Sequence, residues 1–368
     1  MTIIIIGLIA AALFISQKHL YRRFWNKGII VNLRFTDDTV RVGGNTSLVQ
    51  VVENKKWLPL PALKVKFQCS RYMIFATDGN AQVSDMYYRN DLFSLMPFRR
   101  VTRQHRITCM KRGYYGIRGI DLVGADLFLS QEMVESRSGE TWIHVIPALC
   151  VTEELDTSLR QVSGEMPHRR HLLTDPFAFR GIREYTPLDE IKTVNWKASA
   201  KSDDWKVNVY DYTAINAVSL FINLSNRQWS QAEEQLERAI AIGAYLAEYF
   251  LSAGVNVSIY ANACDCLHGS VLCMEEIRDL GSLEQIQKML ARLDLDIHPE
   301  PFTDYEERMS QQTGRMLIVI SPDWLDEVQD MLCRNIGRSD IIWICPCSQK
   351  ADVRVRPELK AHTIVLAE

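Results

Sequence analysis

The chain begins with an uncharged apolar run, Ile3 to Ile15 (IIIIGLIAAALFI), which contains no proline. Basic residues follow the run at once, namely Lys18, His19, Arg22, Arg23 and Lys27. A membrane-spanning helix needs about 20 residues. The segment from Thr2 to Tyr21 reaches that length if Lys18 snorkels to the interface. The run therefore predicts an N-terminal transmembrane helix within residues 1–25.

Two other interpretations of this run are weaker. A cleaved signal peptide has its basic residues before the apolar run and a small-x-small cleavage site after it, and neither is clear here. A short buried helix would show an amphipathic pattern, and this run does not. Because Lys and Arg follow the run and none precedes it, the positive-inside rule places everything after Arg22 in the cytoplasm. We expect a single-pass protein of the cell membrane, with the bulk of the chain cytoplasmic.

Length and composition narrow the class of protein. A chain of 368 residues is too long for one ordinary core, so two soluble domains and an anchor are expected. The formal charge of −3 provides no basic footprint for nucleic acid. Nine cysteines are scattered along the sequence, which fits reduced cytoplasmic thiols better than a secreted disulfide framework.

Residues 28–150 have the pattern of an all-β domain. Short segments rich in β-branched and aromatic residues lie between Gly, Asn and Asp turns. They are IIVNLRF, TVRV, SLVQVVEN, LKVKFQC and HRITCMK. This spacing predicts an antiparallel β-sandwich. Residues 151–179 are polar and are predicted to be a linker, whose basic side chains are either solvated or in contact with lipid headgroups or an acidic partner.

From Ala217 the hydrophobic period changes. Continuous apolar runs indicate buried parallel strands: AVSLFINLS, VNVSIYANA, RMLIVIS, DIIWICPC and TIVL. Predicted helices alternate with them over Gln231–Ser252, Ser282–Leu293 (with Ser282 as N-cap) and Trp324–Cys333. This alternation predicts a Rossmann-like α/β domain with a mostly parallel sheet covered on both faces. We assign it, with the run that precedes it, to residues 180–368.

The run from Arg180 to Ala200, RGIREYTPLDEIKTVNWKASA, is dense in groups that need defined partners. Its candidate binding residues are Arg180, Arg183, Glu184, Tyr185, Asp189, Trp196 and Lys197. They form either a polar surface that binds a partner or an anionic ligand, or a set of buried ion pairs and a packed Trp that hold the linker to the α/β domain. We call this run the signature.

The signature resembles that of the bacterial family catalogued as domain of unknown function 58, a pattern of the form R-x-Y-x-x-G-D-x-x-R-x-I-x-W-x-x-S-A. Lys111–Gly116 followed by Asp126-Leu127-Phe128 is similar to another element of that family, but lacks a proline after the aspartate. The resemblance covers nearly the whole chain after the anchor. It implies a von Willebrand factor A-like C-terminal domain and a MoxR-type AAA+ ATPase as partner.

Asn223-Leu224-Ser225-Asn226-Arg227 follows the first predicted strand of the α/β domain, where such sheets bind ligands. It resembles the metal-adhesion motif D-x-S-x-S of von Willebrand factor A-like domains, with Asn223 in place of the aspartate and Arg227 in place of the second serine. A hard divalent cation needs anionic oxygen. The motif is therefore degenerate, and no metal is predicted there. Asp323 is either a distant acidic ligand or a helix N-terminal residue.

Two C-x-C pairs, Cys264-Cys266 and Cys345-Cys347, offer another metal hypothesis. Their thiolates would form a tetrahedral zinc site if the two strands were neighbours, although simple free thiols are the preferred interpretation. The sequence contains no Walker A loop, G-x-G-x-x-G or H-E-x-x-H motif. Ser199 has no histidine at a useful spacing, so neither a catalytic residue nor a cofactor is predicted.

These observations predict a non-enzymatic, membrane-anchored adaptor or scaffold. The resemblance implies that it works with a MoxR-type AAA+ ATPase in the assembly or maturation of another complex. The alternative is a metal-dependent binding protein or enzyme that uses Ser225, Asp323 and the signature carboxylates at the strand ends. A further alternative makes the β-sandwich the module that binds the partner.

Overall fold

The computed structural model describes residues 2–76, 81–83, 86–149, 155, 157, 174–186, 194–202, 204–212, 217–225, 232–312, 314–336, 339–349 and 353–367. The chain divides into two compact units. The β unit holds Met1–Ala148 and Gln287–Leu293, and the α/β unit holds Leu149–Ile286 and Asp294–Glu368. The predicted linker, 151–179, lies outside the described residues except at 155, 157 and 174–179, and 174–179 begin a strand instead.

The predicted N-terminal helix is present as α1 (Thr2–Phe24). Its segment Ile3–Phe24 is long and apolar enough to cross a membrane. Side chains along its first part are open to the surroundings, with Ile3 exposed at 84% and Ile15 at 66%. Membrane anchors and signal sequences share this length and composition.

In the described part of the β unit, ten strands form two sheets. They are β1 (Ile29–Phe35), β2 (Thr39–Arg41), β3 (Asn45–Asn54), β4 (Leu60–Ser70), β5 (Met73–Phe75), β6 (Ala81–Val83), β7 (Met86–Leu95), β8 (Arg100–Cys109), β9 (Gly113–Ala125) and β10 (Glu132–Ile146). One sheet has the order β1-β3-β8-β5 and the other β2-β10-β9-β4-β7-β6. Neighbours pair antiparallel, except β2 with β10.

The inward side chains of both sheets share one hydrophobic core. Buried and less buried positions alternate along β3 and β7, as expected where successive side chains point to opposite faces. Leu48 and Phe93 are almost completely buried members of this core. Burying each such side chain contributes about 1.5–3 kcal/mol to stability.

Charged side chains are also buried in the β unit. Arg89 Nε donates to the Asp91 carboxylate at 3.0 and 3.2 Å, and Arg89 Nη2 lies 3.1 Å from His105 Nδ1. His105 Nε2 lies 3.1 Å from Gln50 Oε1 and 3.4 Å from Asp91 Oδ2. All four residues are buried. A histidine proton on Nε2 satisfies every one of these contacts, because Nδ1 then accepts from the guanidinium.

Burial alone would raise the pKa of Asp91, but hydrogen bonds from His105 and Arg89, together with their charges, hold that pKa below its usual value. The carboxylate form is therefore favoured by the fold. Since a lowered carboxyl pKa stabilises the folded state above the unfolded pKa, this contribution is lost as the pH falls through the folded pKa.

We expect Asp91→Asn to lower the free energy of unfolding by about 3–5 kcal/mol at neutral pH, because it leaves the buried Arg89 charge uncompensated. The difference between the two proteins should shrink at acid pH, below about 4, where the unfolded chain also takes up the proton. Urea unfolding of the full-length protein in detergent at several pH values measures both effects. Asp121→Asn on the exposed face of β9 is the control, and equal losses in the two variants would contradict the assignment.

The C-terminal end of α1 is part of the β unit's core. Tyr21 and Trp25 are only 3% and 5% exposed and belong to the core cluster. The Tyr21 hydroxyl donates to Pro59 O at 2.9 Å. The Trp25 ring lies on the backbone of Gly124, where an added Cβ would come within 2.4 Å of a ring carbon. Only glycine leaves room for this indole.

Backbone carbonyls at the end of α1 are bound by two long cations. Lys56 Nζ donates to Phe24 O at 2.9 Å and also to Trp25 O. Arg137 donates to Asn26 O at 3.1 Å and to Ile29 O at 2.6 Å. The last carbonyls of a helix have no intrahelical partner, so these side chains satisfy them and attach the helix end to the strands.

Gly124→Ala should destabilise the β unit by about 1–3 kcal/mol, since overpacking forces the Trp25 ring or the strand to shift. Gly119→Ala in the same strand is a matched control, because its Cβ would have no neighbour closer than 3.8 Å. Thermal unfolding of the full-length protein in detergent, monitored by tryptophan fluorescence, compares them. A melting temperature of Gly124→Ala equal to that of Gly119→Ala would show that the indole does not depend on this glycine.

The described elements of the α/β unit begin with a small pair of strands and a short helix: β11 (Thr174–Glu184), α2 (Trp196–Ser202) and β12 (Lys206–Tyr212). The main sheet follows, with β13 (Ala217–Ile222), β14 (Asn256–Cys264), β15 (Val271–Ile277), β16 (Met316–Ile320), β17 (Asp340–Pro346) and β18 (Thr363–Leu366). The helices between them in the chain are α3 (Ala232–Ser252), α4 (Leu283–Ala291), α5 (Glu306–Gln311) and α6 (Asp326–Asn335). The residues of α4 from Gln287 onward are assigned to the β unit.

The main sheet has the order β15-β14-β13-β16-β17-β18. All neighbours are parallel except β14 and β15. Every described position of β16 and nearly every one of β13 is buried, which explains their uninterrupted apolar sequences. The predicted C-terminal α/β domain with a mostly parallel sheet is therefore confirmed.

Several details differ from the sequence predictions. β15 and α5 were not predicted. α4 begins at Leu283, directly after Ser282, but a short 3-10 turn, Leu280–Ser282, precedes it; the cap of that turn is Asp279, which accepts from Gly281 N at 3.1 Å. The predicted helix at Trp324 begins two residues later, at Asp326.

Both edge strands of the main sheet, β15 and β18, have features that discourage pairing with a further strand. At the β15 edge, Glu276 has a left-handed φ of 51°, and the pairing with β14 shifts register around it. Glu276 N donates to Ser258 Oγ at 3.0 Å, and the Glu276 carboxylate binds Arg315 at 2.8 Å. The other edge strand, β18, spans only Thr363–Leu366. A charged bulge and a very short strand are two ways in which proteins discourage pairing at a sheet edge.

Candidate functional site

The signature folds as a small layer in the α/β unit. β11 pairs antiparallel with β12, with Arg183 opposite Val207 and Glu184 opposite Lys206. The backbone of Arg180 lies in β11, but its side chain lies outside the described residues, as does all of Asp189. The structure therefore locates five of the seven predicted signature side chains.

Part of the signature is structural. Val194, 6% exposed, forms a β-bridge with the buried Val207. Asn195 Oδ1 accepts from Ala198 N at 2.9 Å, which caps the start of α2. Ser199 Oγ donates to Asn195 O at 2.9 Å and accepts from Lys206 N at 2.9 Å. These contacts tie α2 to β12 and fix what the rest of the signature presents.

Three aromatic side chains gather on the outside of this layer. Trp196 and Trp205 are 63% and 51% exposed, and their ring centroids are 5.9 Å apart. The Tyr185 ring packs edge-on against Trp205 at 5.3 Å, and Tyr185 N donates to Trp205 O at 2.8 Å. Ile182, 45% exposed, lies nearby in β11. We call Tyr185, Trp196 and Trp205 the aromatic cluster.

Charged residues of the signature are exposed as well. Arg183, Glu184 and Lys197 are all exposed, and Arg183 Nη1 donates to Glu184 O at 2.9 Å. The interpretation of buried ion pairs and a packed Trp therefore does not describe these residues or Trp196. The local anchoring contacts are made instead by half-buried small residues of the signature, such as Asn195 and Ser199.

Two features of this surface were missed in the sequence. Trp205 was not among the candidate residues, although an aromatic residue just before β12 is placed to meet the signature. The capping role of Asn195 was also missed. Asn followed by a helix-forming run is a recognisable N-cap signal.

The degenerate metal motif lies at the carboxyl ends of β13, β14 and β16. Asn223 Nδ2 donates to Ser321 Oγ at 2.9 Å, and Asn223 Oδ1 accepts from Ser225 N at 2.9 Å and from Asn262 Nδ2 at 3.2 Å. Ser321 Oγ in turn donates to Asp323 O at 2.9 Å. Asn223, Asn262 and Ser321 are completely buried. This set is the amide network.

Asn262 connects the members of the amide network, and it was not a candidate residue in the sequence. Its Oδ1 accepts from Leu224 N at 2.7 Å, and its Nδ2 lies 2.8 Å from both Ser225 Oγ and Glu300 O. Amide N–H groups thus point at the oxygens that a cation would need. Because those lone pairs already accept hydrogen bonds, the network is complete without an ion.

The metal hypothesis also involves Arg227 and Asp323. Arg227 lies outside the described residues. Asp323 is 7% exposed, and its Oδ1 accepts from Leu325 N at 3.0 Å just before α6. The N-cap of α6 is Leu325 and has no side-chain cap hydrogen bond, so Asp323 forms a turn before the helix and is not the residue that starts it.

The two C-x-C pairs do not meet. β14 and β17 are separated by β13 and β16, a distance of about 14 Å at the usual strand spacing. The condition for the zinc hypothesis therefore fails. Burial raises the pKa of the Cys345 thiol, and Cys347 Sγ lies 3.6 Å from Leu366 O. Within the described ranges, no three His, Cys, Asp or Glu side chains converge as a metal site.

Comparison with known proteins leaves the family open. No family model and no curated protein matches the chain. Solved structures match only in part. The CARDB domain of a Pyrococcus furiosus protein, solved with two metal ions, is 16% identical with a TM-score of 0.22, covering 32% of this chain and 88% of that one.

Two further solved structures show the same weak likeness. AvmM, which catalyses macrocyclization in alchivemycin A biosynthesis, is 10% identical with a TM-score of 0.24, covering 34% of this chain and 94% of that one. A non-cellulosomal cohesin from Archaeoglobus fulgidus is 7% identical with a TM-score of 0.23, covering 35% and 96%. Scores this low carry no information about function.

The complete amide network predicts that divalent cations leave the stability of the protein unchanged. A ligand that binds only the folded state raises the melting temperature. Melting scans of the full-length protein with EDTA and with millimolar Mg²⁺ or Mn²⁺ should therefore coincide. A cation-dependent rise that Ser225→Ala abolishes would contradict this prediction and support a working metal site.

Proposed function

We propose that this protein is a non-enzymatic, membrane-anchored adaptor or scaffold that binds a partner through its signature. The observation that carries the proposal is the aromatic cluster. Large aromatic side chains rarely remain this exposed in a group without a role in binding, and Trp and Tyr are enriched at interaction hot spots. Arg183, Glu184 and Lys197 provide the polar surroundings that such an interface has at its rim.

The resemblance of the signature to the domain of unknown function 58 family supplies the partner class. We propose a MoxR-type AAA+ ATPase, with assembly or maturation of another complex as the shared task. We also propose that the β unit is a β-sandwich and that the α/β unit is a von Willebrand factor A-like domain. Two sheets that share one core support a β-sandwich, and the position of Asn223 at the end of a central parallel strand supports a von Willebrand factor A-like domain.

Retention of α1 is supported by its contact with the core. Cleavage of a signal peptide after Tyr21 would remove Tyr21 from the core cluster, and cleavage after Trp25 would remove both aromatic residues. Loss of either large aromatic side chain from a core costs about 3–5 kcal/mol. An uncleaved anchor avoids that loss. The basic residues after the apolar run support a cytoplasmic location of both units.

The amide network favours a scaffold over a metal-dependent protein. A protein that depended on a cation at this edge would present carboxylate or carbonyl oxygens with free lone pairs. Asn223 and Asn262 instead bind each other and Ser225. The metal-dependent alternative retains one supporting observation, the location of Ser225 and Asp323 at the carboxyl edge of the sheet, where ligands of such folds bind.

We expect Trp196→Ala and Trp205→Ala each to weaken binding to a purified MoxR-type AAA+ ATPase of the same organism by at least about tenfold. The reason is that hot-spot aromatic residues contribute about 2 kcal/mol or more. Binding of the full-length protein in detergent is measured by biolayer interferometry. Circular dichroism spectra confirm that each variant is folded.

Trp57→Ala is the matched control, because Trp57 is exposed at 63%, the same fraction as Trp196, but belongs to the β unit. It should leave the affinity unchanged. An equal loss for Trp57→Ala would assign the interface to the β unit. Absence of binding by the unaltered protein would overturn the choice of partner.

A further inference from the structure

Three loops lie at the end of the β unit that carries α1: two cross from one sheet to the other, and the third closes the β9–β10 hairpin. They join β3 to β4 (residues 55–59), β7 to β8 (96–99) and β9 to β10 (126–131). The strand registers place them together: Ile29, which follows α1, pairs with Asn54, and Glu53 pairs with Arg100. Along the second sheet, Leu60 pairs with Leu95. We call this surface the helix-proximal end.

Large apolar side chains of these loops are exposed. They are Trp57 (63%), Met96 (63%), Phe98 (71%), Leu127 (49%), Phe128 (61%) and Leu129 (63%). Scattered exposed apolar residues are normal on a soluble protein, but a collection on neighbouring loops marks an interaction surface.

The loops are held in place rather than free to fold over these side chains. Asn54, completely buried, donates from Nδ2 to Leu58 O at 2.9 Å and to Met96 O at 3.2 Å, which joins two of the loops. In the third loop, the Asp126 carboxylate accepts from Ser130 N and Ser130 Oγ, both at 2.6 Å. Internal hydrogen bonds therefore fix the apolar tips outward.

Two of these residues have a strained backbone. Phe98 has a φ of 56° and Leu129 a φ of 57°. Left-handed backbone is costly for bulky residues because of the clash between Cβ and the backbone, and glycine would relieve it. Strain of this kind collects at sites where the side chain has a task. Here it places an apolar side chain at the tip of a loop.

The third loop touches α1 along the part of the helix that would lie in a membrane. The Phe14 and Phe128 ring centroids are 5.7 Å apart, and Gln17 Nε2 donates to Asp126 Oδ2 at 2.9 Å. A span of about 20 residues keeps α1 in the bilayer as far as about Tyr21. Phe14 then lies about 10 Å further in, at about 1.5 Å per residue, and Phe128 reaches the same depth.

Positive charge surrounds the apolar tips. Exposed basic residues at this end and on the adjoining turn of α1 are Arg22, Arg23, Lys27, Lys55, Arg99 and Arg100. Of the acidic groups here, Asp126 is occupied by hydrogen bonds within its loop, Glu132 is paired with Lys64 at 2.7 Å, and Glu53 lies opposite Arg100 in the β3–β8 pairing. Apolar residues mixed with Lys and Arg fit the boundary between acyl chains and anionic headgroups.

We propose that the helix-proximal end is a second membrane contact, in which the three loops insert their apolar tips into the interface of an anionic lipid bilayer beside α1. The proposal rests on the anchoring part of the proposed function but not on its partner. Insertion at several points fixes the orientation of the β unit on the membrane, which a single helix alone does not.

The test places a fluorescent amino acid by codon suppression at position 128 of the full-length protein, and separately at positions 8 and 110. Each protein is reconstituted in vesicles of phosphatidylethanolamine and phosphatidylglycerol that contain a lipid with a nitroxide quencher on its acyl chain. Position 8 lies in α1, where Leu8 is 66% exposed. Met110, 52% exposed, follows the opposite end of β8, about 30 Å along the strand.

The expected result is a loss of more than about half the fluorescence at positions 8 and 128 and of less than about a tenth at 110, because inserted segments lie about 5–10 Å inside the interface. Quenching at 8 without quenching at 128 overturns the loop insertion and leaves the anchor intact. No quenching at 8 overturns both. If 128 escapes the lipid quencher but is also shielded from aqueous iodide, a second copy or another protein covers the loop, and the lipid proposal is wrong.

Discussion

The packing of the Trp25 indole on the backbone of Gly124 is the contact on which the arrangement of the β unit depends. It makes the last turn of an apolar helix part of a soluble core, together with Tyr21. The carbonyls released at the helix end are then satisfied by Lys56 and Arg137 from the strands. Helix and sheets therefore form one folding unit, and the strands cannot reach their full burial without the helix.

The residues of the signature fall into two groups with different structural roles. Its small polar residues, Asn195 and Ser199, form hydrogen bonds within the layer that stabilise the local fold. Its large residues, Trp196 and Lys197, face outward. This is the reverse of the usual expectation that tryptophan is buried and asparagine exposed. The amide network makes a similar point, because polar side chains at the carboxyl edge of the sheet, where ligands of parallel sheets bind, are hydrogen-bonded to one another.

Much of the architecture was readable from the sequence because it depends on local periodicity. Alternating side chains predicted the strands of the β unit, and continuous apolar runs predicted the parallel sheet. β15 escaped because Val271–Ile277 mixes exposed glutamates with apolar residues, as an edge strand does. The sites were harder to predict. The contacts of Asn262 with Ser225 and of Trp205 with Tyr185 join residues far apart in sequence, and no periodic pattern specifies such pairs.

If α1 anchors the protein as proposed, the bulge at Glu276 and the four-residue strand β18 matter most where copies of it share one bilayer. Molecules confined to a surface collide far more often than the same number in solution, and each open sheet edge offers a row of unpaired backbone groups to its neighbour. A sheet whose edge strands do not pair with a further strand cannot be extended by a neighbouring copy. Crowding along the membrane then concentrates the protein without polymerising it.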